Sequence, residues 1–141
     1  MHLDSVTIRN LELVRPAGRA EESSNQSTYT LLGVLDRTVT AMGSRLLREW
    51  LLRPLVNSAA IEARLTAVDE LKRQIDARVR LRTALRTVQD ISRLCSRMSL
   101  GVANPRDVLA LKTSVSSLPA IQAEFSALDS PLIPDLMSSR D

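Results

Sequence analysis

From Thr30 to Leu118 the apolar residues recur at spacings of three and four, and no stretch of comparable length alternates like a strand. This period restricts the chain to packed helices. The segment "TLLGVLD" reads as a short helix broken by "RTVT". Thr40 then suits the N-cap of a helix that places Met42, Leu46, Leu47, Trp50 and Leu51 on one face, with Trp50 in the core, and Pro54 ends it. Asn57 or Ser58 caps the next, with Ile61, Leu65, Val68 and Leu71 inward and an Asp69–Arg73 pair on the polar face. Asp76 starts a helix with Leu81, Ala84, Leu85 and Val88 inward. Asp90 caps "ISRLCSRMSL", whose stripe of Ile91, Leu94, Cys95 and Met98 ends at Gly101. Asn104 caps another helix, with Pro105 at its first position, Asp107 in its first turn, and Val108, Leu111, Val115 and Leu118 inward. Beyond Pro119, Ile121, Phe125 and Leu128 belong to a further short segment.

The two ends read less sharply. In "MHLDSVTIRNLEL", Val6, Ile8, Leu11 and Leu13 alternate, while Asp4 fits the cap of a short helix from Ser5; the helix followed by a few extended residues is the reading adopted. Residues 14–29, rich in Pro, Gly, Ser and acids, read as an exposed loop, and 129–141 as the start of another helical unit. The expectation is one all-α domain spanning 1–141, an irregular multi-helix bundle of about six or seven short helices joined by tight turns.

Composition narrows function mainly by exclusion. Apolar residues at 44% and charged residues at 25% are ordinary, but aromatics are 2%, so the core must be aliphatic. The lone Cys95, lying on an apolar stripe, reads as a small core residue rather than a metal ligand or reactive thiol. No apolar run reaches a membrane span and no signal-peptide pattern opens the chain, so a soluble cytoplasmic protein is expected. No G-x-x-x-x-G-K-[ST] or G-x-G-x-x-G occurs, and His2 is the only histidine, which leaves nucleophilic catalysis without a base. The acid pairs Glu21–Glu22 and Asp69–Glu70 read as solvated surface. Tyr29, Trp50 and Phe125 are too scattered to form a stacking platform. The chain's formal charge is +3, and "RVRLRTALR" leaves two readings open: an ordinary exposed helix face, or a stripe in which Arg78, Arg80, Arg82 and Arg86 meet phosphates. Neither a catalytic residue nor a cofactor or metal site is expected in this chain.

One stretch carries more specification than the rest. "LLGVLDRTVTAMGSRLLREWLLRPL", residues 31–55, closely resembles the core domain of the MutS family of DNA mismatch repair proteins, in which L-D-x-T-x-T-x-M-G-x-R-x-L-x-x-W-L-x-x-P-L recurs. Leu35, Asp36, Thr38, Thr40, Met42, Gly43, Arg45, Leu47, Trp50, Leu51, Pro54 and Leu55 hold those places. "LDSVTIRNLEL" at 3–13 and "DISRLCSRMSLGVANPRDVLAL" at 90–111 agree in the expected order. Ala41 stands where many relatives have proline, Ser92 where an acid is common, and the loop at 16–28 is longer than usual.

The resemblance implies a role in mechanics. In this family an all-α core joins mismatch-reading and connector domains to lever helices that carry the DNA clamp and lead to the ATPase. It implies structural and transmission roles for Asp36, Thr38, Thr40, Met42, Gly43, Arg45, Trp50 and Pro54, with Gly43 allowing close backbone approach. It further implies ATP and Mg for the full-length protein only. The implied partners are the remaining MutS domains, mismatched duplex DNA and a second subunit, in the cytoplasm at the nucleoid if bacterial. The family's mismatch-reading residues, clamp and ATPase loop have no counterpart here, so the chain is expected to be a fragment, with apolar faces near Leu118 to Leu136 left uncovered. The alternatives are a stand-alone helical DNA-binding or protein-interaction module, and the core of a MutS paralogue used in recombination.

Overall fold

The computed structural model describes residues 3–16, 29–126 and 128. Among them are eight helices and no strand: α1 (Ser5–Asn10), α2 (Leu31–Leu35), α3 (Ala41–Leu52), α4 (Ser58–Arg73), α5 (Ile75–Leu85), α6 (Ile91–Ser99), α7 (Pro105–Ser116) and α8 (Leu118–Phe125). The all-α expectation holds. The proposed unit at 129–141, and most of the loop at 14–29, lie outside the described residues.

Short helices have many ends, and each end leaves backbone groups without intrahelical partners. Six of the eight solve this alike. Asp4, Thr30, Thr40, Asn57, Asp90 and Asn104 each accept the backbone N–H three residues on, at 2.6 to 3.2 Å. Such a cap contributes about 1 kcal/mol. The two helices without a side-chain cap, α5 and α8, each follow the previous helix after a single intervening residue, Gln74 and Ser117.

The chain divides into two compact units between Val56 and Asn57. In the first, α1 closes with paired bonds from Glu12 N–H to the Arg9 carbonyl and from Leu13 N–H to the Ile8 carbonyl. Glu12 takes the left-handed conformation, φ 47°, that glycine more often fills. The carbonyls of Glu12 and Leu13 then accept the first two N–H groups of α2, from Leu31 and Leu32, at 3.1 and 2.9 Å. The Thr30 hydroxyl takes the third. Leu13 and Thr30 are buried at this corner.

The second unit holds α4 to α8 around Ala67, Ala77, Leu81, Val88, Leu94, Ile121 and Leu128. Its faces correct several expectations. Leu65 and Val68 are 54% and 62% exposed, because α4 turns Ala67 inward instead. A single residue separates α4 from α5, and each helix buries an alanine, Ala67 and Ala77. On α7, Val108 and Val115 are exposed, and the inward face is Asp107, Ala110, Leu111 and Ser114, at the spacing of one helical face. Polar anchors fix that choice. Ser114, fully buried, accepts the Gln89 N–H at 2.9 Å and donates to the Ala110 carbonyl at 2.8 Å. Asp107 accepts from Arg97 at 3.0 Å and from the Asn104 N–H at 2.9 Å. Leu118 and Pro119 open α8 rather than close α7. Cys95 is exposed, since α6 buries only Leu94. Of the stretch expected to be uncovered, Leu118 is exposed while Ile121 and Leu128 are buried, and 129–136 lies outside the described residues; within the second unit the exposed apolar side chains lie mainly on α4, α5 and α7.

Other expectations hold: Leu81 and Val88 are buried, Arg73 pairs with Asp69, and Gly101 ends α6 at φ 68°. The Arg73–Asp69 pair is well exposed and contributes little.

Ser114→Ala leaves the Gln89 N–H without its acceptor inside the unit. The expected cost is about 1–2 kcal/mol in urea unfolding, against a few tenths for the exposed Ser116→Ala.

Candidate functional site: the α2–α3 joint

The residues that carry the resemblance gather where α2 passes into α3. Asp36 ends α2 in an extended conformation, φ −69° and ψ 99°, so the chain leaves the helix there. Its Oδ1 accepts both the Thr38 N–H at 3.0 Å and the Thr38 hydroxyl at 2.6 Å. Its Oδ2 accepts the Ser44 hydroxyl, from the first turn of α3, at 2.5 Å. One carboxylate therefore ties the end of one helix, the linking turn and the start of the next.

These donors hold the Asp36 carboxyl below the ordinary carboxylate range, Ser44 first, then the Thr38 hydroxyl and backbone, against a smaller opposing effect of burial. Thr40 caps α3 through the Gly43 N–H at 3.0 Å. Gly43 is required by space: a Cβ there would lie 2.9 Å from the Thr40 Oγ1 and 3.5 Å from the Thr38 Cβ.

The other implied residues are placed less centrally. Met42 and Pro54 are half-buried, and Arg45 is exposed. Trp50 is 41% exposed, which corrects the expectation of a core tryptophan. An apolar stripe predicts a buried face only when an element lies against all of it. Ser44 was not singled out from the sequence, since a serine inside a helix has no pattern of its own; its place eight residues after an unpaired-looking Asp36 shows its role only in three dimensions.

The four arginines of α5 serve differing ends. Arg78 donates to the Leu71 and Lys72 carbonyls at 3.1 and 3.3 Å, closing the C-terminal end of α4. Arg80 pairs with both oxygens of Glu124 on α8, at 3.0 and 2.8 Å. Arg82 is half-buried and Arg86 exposed. A cleft of about 240 Å³ beside α6 is lined by Gln89, Asp90, Arg93, Leu94, Arg97 and Asp107, whose acids already cap helices or pair with Arg97. Among the described residues no group of three His, Cys, Asp or Glu could hold a metal ion, and no helix is long and apolar enough to cross a membrane.

The fold and the joint define an all-helical structural domain whose polar groups bind its own turns together. The model of MutS domain III matches residues 6–138, and the chain belongs to that family. It is 50% identical to the DNA mismatch repair protein MutS of Solibacter usitatus over 125 residues, covering 89% of this chain and 14% of the relative. Against the same-named protein of Desulfosudis oleivorans it is 48% identical, covering 92% of the chain and 14% of the relative. With that of Pelotomaculum thermopropionicum it shares 42% identity over all of the chain and 16% of the relative. The chain thus spans about one-seventh of the length of the curated relatives it matches.

Gly43→Ala sets a gain in helix propensity of roughly 1 kcal/mol against the collision with the Thr40 cap. It should leave the parent no more stable, yet stabilise a Thr40→Ala chain by up to about 1 kcal/mol; a double-mutant cycle in chemical unfolding reads the difference.

Asp36 and Asp107 both titrate below the ordinary carboxylate value in the folded chain, Asp107 chiefly through the Asn104 N–H and then Arg97. Depressed folded values contribute stability that is complete above the unfolded value of about 3.9 and is lost as pH falls through the folded ones. Melting temperature should therefore drop below about pH 4, and Asp36→Asn, already weaker at neutral pH, should show a shallower drop.

Proposed function

We propose that this chain is a structural and transmission segment of a MutS-type DNA mismatch repair protein, linking mismatched-DNA binding to ATP hydrolysis elsewhere in a longer protein and catalysing nothing itself. The observation that carries the reading is the Asp36 joint. Two helices are held in fixed relation by a carboxylate with three internal donors, and such a rigid element suits the relay of a displacement between distant sites. The family match over nearly the whole chain supports the assignment to a mismatch repair protein. On this reading the partners are the remaining MutS domains, mismatched duplex DNA and a second subunit. ATP and Mg are held outside this segment, and the protein works in the cytoplasm.

The test is made in the longer protein carrying this segment, with Asp36→Ala and Ser44→Ala. Mismatch affinity without nucleotide and ATP hydrolysis without DNA should stay within about twofold of the parent. The effect of mismatched DNA on ATP turnover should fall several-fold, since coupling between sites is typically only 1–3 kcal/mol. Unchanged coupling, with the joint shown to be loosened by a lower melting temperature, would remove the transmission role. ATP hydrolysis by the purified 141-residue chain would remove the claim that it is inert.

A further inference from the structure

The elbow between α4 and α5 contains nothing that breaks helices. No proline or glycine lies between Asn57 and Arg86, and the bend rests on Gln74 alone, at φ −89° and ψ 72°. Its φ already suits a helix; only ψ must turn for α4 and α5 to join. In a continuous helix the Leu71 and Lys72 carbonyls would accept the N–H groups of Ile75 and Asp76. At the elbow, the Arg78 guanidinium takes both carbonyls in their stead.

Four exposed apolar residues, together with half-buried Ile61 and charged Lys72, follow the register of that unbroken helix. Ile61, Leu65, Val68, Lys72, Ile75 and Val79 step by four, three, four, three and four straight through the elbow, which is the heptad spacing of a coiled-coil seam. Leu65, Val68, Ile75 and Val79 are 54 to 62% exposed in the bent form. The flanks are charged by side. Glu62, Asp69 and Asp76 each follow one seam position, the e site, while Arg64 and Arg78 each precede another, the g site. In a parallel pair the g residue of one strand faces the e residue of the partner's next heptad, so Arg64 meets Asp69; an antiparallel pair would set arginine against arginine and acid against acid.

We propose that residues 58–85 have a second, straight form, a helix of about 42 Å, whose 61–79 seam pairs in parallel with the same seam of a second copy of this chain. The bent form keeps Ala67, Ala77 and Leu81 buried, so the straight form is drawn out by pairing and grows with concentration. Lys72, the polar residue inside the seam, fixes the register and weakens the pair. This inference stands apart from the transmission role.

Sedimentation of the whole chain should show a reversible dimer. Val68→Cys and Val79→Cys, each in a Cys95→Ser background, should cross-link to their own counterparts on both sides of the elbow. Ile75→Pro forbids the straight form but fits the bent one, since proline suits a first helical position and drives Gln74 from the α region. It should weaken the dimer at least tenfold and abolish the Val79→Cys cross-link while melting as the parent does. Ile75→Ala trims the same side chain without barring the helix and should weaken the dimer less, whereas Lys72→Ile should tighten it. A chain that stays monomeric at every soluble concentration, a dimer indifferent to Ile75→Pro, or equal weakening by alanine and proline would overturn the proposal.

Discussion

The N–H groups at the start of each helix are the constraint on which this structure depends. A chain cut into eight short helices presents unpaired amides at every start, and the core is too small to hide the cost of leaving them unmet. Side-chain caps at six starts, and carbonyls borrowed from Glu12 and Leu13 at one of these, meet part of that need locally. The three segments that carry the family resemblance coincide with this work. Residues 3–13 form the corner that feeds α2, 31–55 the Asp36 joint, and 90–111 the turn in which Arg97 reaches both Asp107 and the Val102 carbonyl.

The chemistry of these turns is also what a reader of the sequence can see. Asp4, Thr40, Asn57, Asp90 and Asn104 stand out as caps, and Pro54 and Gly101 as stops, because each acts on backbone within a few residues of itself. Faces were less legible. α4 carries two usable stripes, one of alanines and one of Ile61, Leu65 and Val68, and the choice belongs to the helix it lies against. α7 follows its polar anchors rather than its valines, and Trp50 and Cys95 sit on stripes covered only in part. Ser44 and Ser114 escaped notice for a related reason: each bonds a group eight or more residues away, and no local pattern marks the partner.

The arginines show how far charge alone misleads. In sequence Arg78 to Arg86 form one basic run. In space, Arg78 closes a helix end and Arg80 clamps α8 through Glu124. A guanidinium offers five donors in a fixed fork, which suits carbonyls and carboxylates of the same chain as well as phosphates. Net charge therefore says little here about a ligand until the internal acceptors have been counted.

The bonds from Leu31 and Leu32 to Glu12 and Leu13 have an evolutionary consequence. They pin the two ends of the intervening sequence to each other, so the corner and α2 must order together however much chain lies between. The entropy of closing such a loop rises only with the logarithm of its length, about 0.6 kcal/mol per doubling. Insertions between the pinned ends are then nearly free, while a change at either end is felt at once. The interval between Leu13 and Thr30 is thus a place in the first unit where added length costs the fold little.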